Sequence, residues 1–196
     1  MKTKLLLAAV AAAAFTPAVA QAQRVPAAAV AVVDTDRIGR ECTACRAAAT
    51  QLQSQETTLR SRAAALQQQL QTARTPIEQA AAALNGKQPD AALQQRITAY
   101  QNQERSAQQE LAAGQQRLAS TQANVNQQIG ARLNTIVASL SASRGANLTL
   151  ARGDVMFAAP TVDITNDVLA QLNQQLPAVS VTPLPQSQQP AQQQGR

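Results

Sequence analysis

Asn85-Gly86-Lys87-Gln88-Pro89-Asp90 decides how this chain folds, because long stretches of helical periodicity meet on either side of it. An Asn-Gly turn signal, a proline that cannot continue a helix and an aspartate able to cap the next one stand together in six residues. Before the break, Leu52, Leu59 and Leu66, then Leu70, Ile77 and Leu84, recur in steps of seven. The shift of four between the two triplets is a stutter, which relaxes a left-handed supercoil without ending it. After the break, Leu93, Ile97, Tyr100, Ala107, Leu111, Leu118, Val125, Ile129, Leu133, Ile136 and Leu140 recur in steps of three, four or seven. The pattern predicts a helical hairpin over residues 36–143 with its tip at 85–90. Two helices of roughly 50 residues make an arm about 70–75 Å long. Ala, Gln and Thr fill the seam between the Leu and Ile positions, so the arm is expected to bend and splay, with a kink at Pro76.

Outward from the arm the period changes. Ala27 to Val33 is a short apolar run ending in β-branched residues, followed by Asp34 and Asp36 as helix caps, which predicts a strand and then a helix. After Arg144-Gly145, Asn147 to Leu150 reads as a strand, Ala151 to Asp154 as a turn and Val155 to Ala158 as a second strand, the two forming a hairpin. A short helix is expected from Asn166 to Leu176, with Thr165 as N-cap, Asp167 in its first turn and Val168, Leu169 and Leu172 on its buried side. Residues 24–35 and 144–176 together form a β body too small to be comfortable alone. Its expected core is Val30, Val32, Leu148, Leu150, Val155, Phe157, Val168, Leu169 and Leu172. Met156 and Phe157 alternate on the second strand, so one is expected to face the core and the other to pack under the C-terminal helix. Exposed strand edges favour self-association into a small barrel with the arms on one side. Residues 177–196 hold four Pro and six Gln and read as a disordered tail.

The first 22 residues read as an address. Lys2 and Lys4 precede an apolar run from Leu5 to Phe15, Pro17 breaks it, and both Ala18-Val19-Ala20 and Ala20-Gln21-Ala22 satisfy the small-x-small rule. This predicts a signal peptide cleaved after Ala20 or Ala22 and export to a periplasm; the run is shorter than the roughly 18–20 residues needed to span a bilayer.

Composition narrows the chemistry. The 196 residues include 43 Ala and 31 Gln but one Tyr, two Phe and no Trp or His, so a large globular core is not expected. Without His there is no imidazole base, no Ser-His-Asp or Cys-His nucleophile system and no His-ligated metal. Beyond residue 22, fifteen Lys and Arg face eleven Asp and Glu, scattered singly. That mild positive charge, with almost no aromatic residues to stack bases, argues against nucleic-acid binding and leaves room for a weak contact with anionic lipid or with acidic polypeptide segments. No phosphate-binding loop of the G-x-x-x-x-G-K type is present, and no cofactor is expected. Asp34 and Asp36 sit where a strand meets a helix and read as caps, not as a catalytic pair.

Cys42-Thr43-Ala44-Cys45 has three readings. In an oxidising compartment it is a disulfide candidate, within one chain or between chains. A C-x-x-C spacing also serves thiol oxidoreductases, although the accompanying βαβ pattern is missing, and a metal site would need further ligands from another subunit.

Val30-Ala31-Val32-Val33-Asp34 with Arg37-Ile38, and the stretch Asp154 to Leu169 through Leu172-Asn173, resemble the Skp (OmpH) family of periplasmic chaperones. The resemblance spans residues 24–176. It implies a mainly α protein in which a long antiparallel helical hairpin, a coiled-coil arm, projects from a small oligomeric β-barrel. It further implies a homotrimer whose arms enclose a cavity that holds unfolded outer-membrane β-barrel proteins without ATP and without enzymatic activity. Family arms are commonly Lys-rich, whereas residues 46–143 here carry nine Lys and Arg against five Asp and Glu, and no basic cluster matches the family's lipopolysaccharide patch. The competing reading is an envelope coiled-coil scaffold or adaptor.

Overall fold

A computed structural model describes residues 27–185. The expected signal peptide and the last part of the tail lie outside the described residues. The order of elements is β1 (Val30–Val33), α1 (Thr35–Glu41), α2 (Thr43–Ala83), α3 (Ala91–Ser143), β2 (Leu148–Ala151) and α4 (Thr165–Gln175), with single 3-10 turns at Arg152–Asp154 and Pro160–Val162.

Local signals account for the helix boundaries. Asp34 Oδ1 accepts the Arg37 N–H at 2.7 Å and starts α1, and Asp90 Oδ1 accepts the Leu93 N–H at 2.8 Å and starts α3. Asn85 and Gly86 carry the positive φ angles, 46° and 84°, that reverse the chain at the tip. Helix α2 passes through Pro76 without terminating. The arm is held by a thin seam: Leu66, Leu93, Ala107 and Val125 are buried, while Leu52, Leu59, Leu70, Ile77, Leu111 and Leu118 are only half-buried. Arg62 of α2 bridges to Glu110 of α3 through two hydrogen bonds of 2.6 and 3.0 Å, which hold the Glu110 carboxyl below its ordinary value.

The body differs from the expected hairpin. β2 pairs with β1 in parallel, in the register Val30 to Leu148 through Val33 to Ala151, and residues 155–158 form no strand. Parallel strands need a crossover connection, and here the whole arm is that crossover. α3 is 53 residues long against 41 for α2. The surplus, about 18 Å at 1.5 Å per residue, carries the chain back past the body, where Asn147 N–H donates to the Ala29 carbonyl at 2.9 Å. Gly145, with φ of 71°, makes the turn out of α3. The other edge of β1 is taken by a bridge between Val32 and Asp163, so the chain after β2 rejoins the sheet beside β1 and not as a hairpin partner of β2.

The core cluster joins Ala31, Val33, Ile38, Cys42, Ala44, Cys45, Ile136, Ile164, Val168 and Leu172. Strand alternation puts Ala31 and Val33 toward the helices. Val32 is buried but outside that cluster, and Val30 is half-buried. Of the two β1 positions expected in the core, Val32 is fully buried and Val30 is not, and Ala31 and Val33 on the opposite face are buried as well.

Helix α4 starts at Thr165, with Ile164 preceding it as an N-cap that makes no side-chain bond. Asp163 supplies the cap in place of the expected Thr165: its Oδ1 accepts the Thr165 N–H at 2.9 Å, and its Oδ2 accepts from Arg152 at 2.8 Å. Burial raises the Asp163 carboxyl, but the Thr165 and Arg152 bonds outweigh it and hold the group below its ordinary value. Asp163→Ala should cost about 1–2 kcal/mol in urea unfolding. A carboxyl lowered in the folded state stabilises fully above its unfolded pKa, about 3.9, and that stabilisation drains as pH falls through the lower folded value. The wild type should therefore lose stability below about pH 4 more steeply than Asp163→Asn, which keeps the cap acceptor; parallel pH profiles would refute the assignment.

Candidate functional site

Two surfaces have chemistry to offer: the length of the arm, and an apolar edge of the body. Near the base of the arm, Ala49 and Leu52 of α2 and Leu118, Val125 and Ile129 of α3 line an open cleft of about 640 Å³. A second cleft of about 470 Å³ opens over Leu59, Leu111 and Leu118, and a third of about 340 Å³ lies nearer the tip among Leu66, Leu70, Tyr100 and Leu111. Gly114 permits the close packing beside the second cleft, since a Cβ there would sit 2.6 Å from Leu59 Cδ1. These clefts follow from the seam itself: small and polar residues between the leucines leave apolar side chains half-covered.

On the body, Val30 and Leu148, and Val32 and Leu150, are partners in the parallel register and so share one face. Leu148 is 44% exposed, Met156 107% and Phe157 83%. Neither Met156 nor Phe157 packs as expected, because residues 155–158 leave the sheet and hold these side chains away from the core. Val155, Leu150 and Leu169 are half-buried, whereas Val168 and Leu172 are fully buried. Large apolar side chains this exposed, two of them consecutive in the chain, are unusual for a small body and mark a contact surface.

Cys42 and Cys45 are joined within the chain. They sit at the break between α1 and α2, where Cys42 is the N-cap of α2 and its sulfur accepts the Cys45 N–H at 3.2 Å. Both residues are buried, the setting of a structural disulfide; thiol exchange needs an accessible sulfur. Opening this bond by Cys42→Ala should cost about 2 kcal/mol, and Cys42→Ser about 1 kcal/mol less because the hydroxyl restores the cap; equal losses in urea unfolding would remove the capping role. Among the described residues, no group of three or more His, Cys, Asp or Glu is placed to hold a metal, and no helix is long and apolar enough to cross a membrane.

Sequence reasoning missed the side chains that tie the two halves of the body to each other and to the arm. Asn147 accepts from Ala29 N–H and donates to the Ala27 carbonyl, Asn173 Oδ1 accepts the Thr43 N–H at the start of α2, and the Thr165 hydroxyl accepts the Asp34 N–H. Each spans more than 110 residues of sequence, so no local pattern announces it.

The model of the family described as outer membrane protein (OmpH-like) matches residues 29–172. The chain belongs to the OmpH-like family. A crystal structure from Caulobacter crescentus CB15, described as a candidate OmpH-like outer membrane chaperone, superposes with a TM-score of 0.64 at 20% identity, over 86% of this chain and 98% of that one. At that identity the likeness establishes a shared fold. No curated protein sequence matches the chain. The OmpH-like match begins just before β1 and ends at Leu172 in α4, so it includes the arm and body but not the segment that follows α4.

Proposed function

We propose that this OmpH-like protein is an ATP-independent periplasmic holdase that keeps unfolded outer-membrane β-barrel proteins soluble. The observation that carries the reading is the arm, a long two-helix hairpin whose half-buried leucines open into a series of shallow apolar clefts. Each cleft is small and open to solvent. Many weak contacts along one flexible arm suit a chain with no fixed shape, because their effects multiply while each stays reversible. Family membership and the signal-peptide-like N-terminus support the compartment. The exposed side chains of Leu148, Met156 and Phe157 support self-association, for which we propose a homotrimer with a shared β-barrel body and three arms around a cavity.

The test is dilution of a urea-unfolded outer-membrane β-barrel protein into buffer with and without the mature protein. Light scattering from aggregates should fall by at least tenfold at a several-fold excess of trimer, without nucleotide. Unchanged aggregation, together with recovery of one stable folded partner by crosslinking, would replace this reading with that of a coiled-coil scaffold.

A further inference from the structure

The segment after α4 is not free, contrary to the expectation of a disordered tail beginning at Pro177. Leu176 and Val179 pack against the body core, and the chain then lies along the arm toward its tip. Ser180 N–H donates to Gln128 Oε1 at 2.9 Å, while Gln128 Nε2 donates back to the Ser180 carbonyl at 3.0 Å. Two residues on, Asn124 Nδ2 donates to the Thr182 carbonyl at 2.9 Å. After two more, Leu184 N–H donates to Ser120 Oγ at 3.0 Å. From the facing helix, Gln55 Nε2 donates to the Val181 carbonyl at 3.1 Å.

The spacing explains the fit. Positions 128, 124 and 120 step by four along α3, about 6.0 Å, and two residues of extended chain cover about 6.6 Å. Every second peptide unit of an extended segment therefore meets the next side chain of one helical stripe. All five bonds from the arm go to backbone atoms, so the stripe reads an extended main chain, as strand addition does at a sheet edge, here through side-chain amides and a hydroxyl. One further step of four toward the tip places Gln116 beyond Ser120, and past it the third cleft opens among Leu66, Leu70 and Tyr100. Beside the stripe lies the 470 Å³ cleft, bounded by Leu59 and Leu111 of the arm and by Val181 and Pro183 of the segment itself.

We propose that this face of the arm is a binding track for extended polypeptide, and that residues 177–184 occupy it in cis as a displaceable resident segment. The identity of the incoming occupant, an unfolded client chain, rests on the chaperone reading above; the track and its resident segment do not. Tethering gives the resident a high effective concentration. A short or weak peptide is thereby excluded, whereas a long unfolded chain that also enters the cleft among Leu66, Leu70 and Tyr100 gains contacts that residues 177–184 do not make.

The test uses the full mature chain. Ser180→Pro with Leu184→Pro deletes the two N–H donors of the resident segment, keeps an extended backbone and leaves α3 untouched. The probe is a fluorescein-labelled synthetic peptide of residues 177–185. It should bind this variant at least tenfold more tightly than wild type, and adding Asn124→Ala and Gln128→Ala should remove the gain while helical circular dichroism stays constant. Equal binding by wild type and the proline variant, or binding indifferent to Asn124 and Gln128, overturns the track. In wild type, the Ser180 and Leu184 amides should exchange at least tenfold more slowly than in the free peptide; unprotected amides overturn the resident assignment without any variant. An unfolded outer-membrane β-barrel protein should displace the probe, and failure to do so overturns the client assignment. Because the probe is the protein's own segment, its binding is judged separately from the aggregation assay.

Discussion

Leu172→Ala should lower the stability of the body by about 3 kcal/mol, seen as a drop in the urea midpoint with an unchanged slope. Leu172 is fully buried, in one cluster with Val168 of the same helix, Ile38 of α1, Ile136 of α3 and Ile164. Elements from the beginning, middle and end of the chain converge there, so the residual cavity has rigid walls on several sides and collapses poorly. The same truncation at Leu59, half-buried on the arm and facing an open cleft, should cost only about 1 kcal/mol, because little apolar area is removed from burial and no closed cavity forms. The contrast separates a rigid body from a compliant arm. A loss below about 1 kcal/mol at Leu172, or equal losses at the two sites, would contradict it.

Met156→Asp with Phe157→Asp should reduce the mass measured by light scattering from that of the proposed trimer to that of one chain, while far-ultraviolet circular dichroism keeps its helical signal. Both residues stand in solvent on the single chain, so charging them removes no contact within it. Burying a Phe and a Met against neighbouring subunits is worth about 3–5 kcal/mol per chain, and about 1.4 kcal/mol changes an association constant tenfold. Carboxylates desolvated in the same place would oppose assembly further. The shift should therefore exceed two orders of magnitude in protein concentration. An assembly mass unchanged by the double substitution would place the subunit interface elsewhere, and the exposed edge would lose its role in the proposed function.

The parts of the fold that could be read in advance were those set within a turn or two of helix. Heptad steps from Leu52 to Leu84 and from Leu93 to Leu140 carry the arm, and Asn85 to Asp90 its tip, because period, turn chemistry and capping act between near neighbours. Asp34 and Asp90 were recognisable as caps for the same reason. The candidate site was legible only in outline: the thin apolar seam could be read, but not where its clefts open. The Cys42-Thr43-Ala44-Cys45 spacing in an oxidising compartment already favoured a disulfide over redox or metal chemistry, and the bond is formed within the chain between two buried residues at the α1–α2 break.

What lay beyond the sequence were choices between partners of similar local merit. Val155 to Ala158 has a strand's composition, yet β1 pairs with β2 across the whole arm and with Asp163 on its other edge. Closing a loop of more than 100 residues costs about 3 kcal/mol more than closing one of four, a difference that the packing of the body core outweighs. Strand periodicity cannot say which of its two faces meets the helices, and the packing of Ile38, Val168 and Leu172 selected Ala31 and Val33. The segment after Pro177 has the composition of a disordered chain because it buries little of its own. It is ordered by Gln128, Asn124, Ser120 and Gln55, side chains more than 50 residues away that satisfy its backbone. By itself the sequence determined the helices, their caps and their reversal; tertiary structure decided the strand pairing, the face that forms the core and the course of the last described segment, because those depend on groups brought together only when the arm folds back on the body.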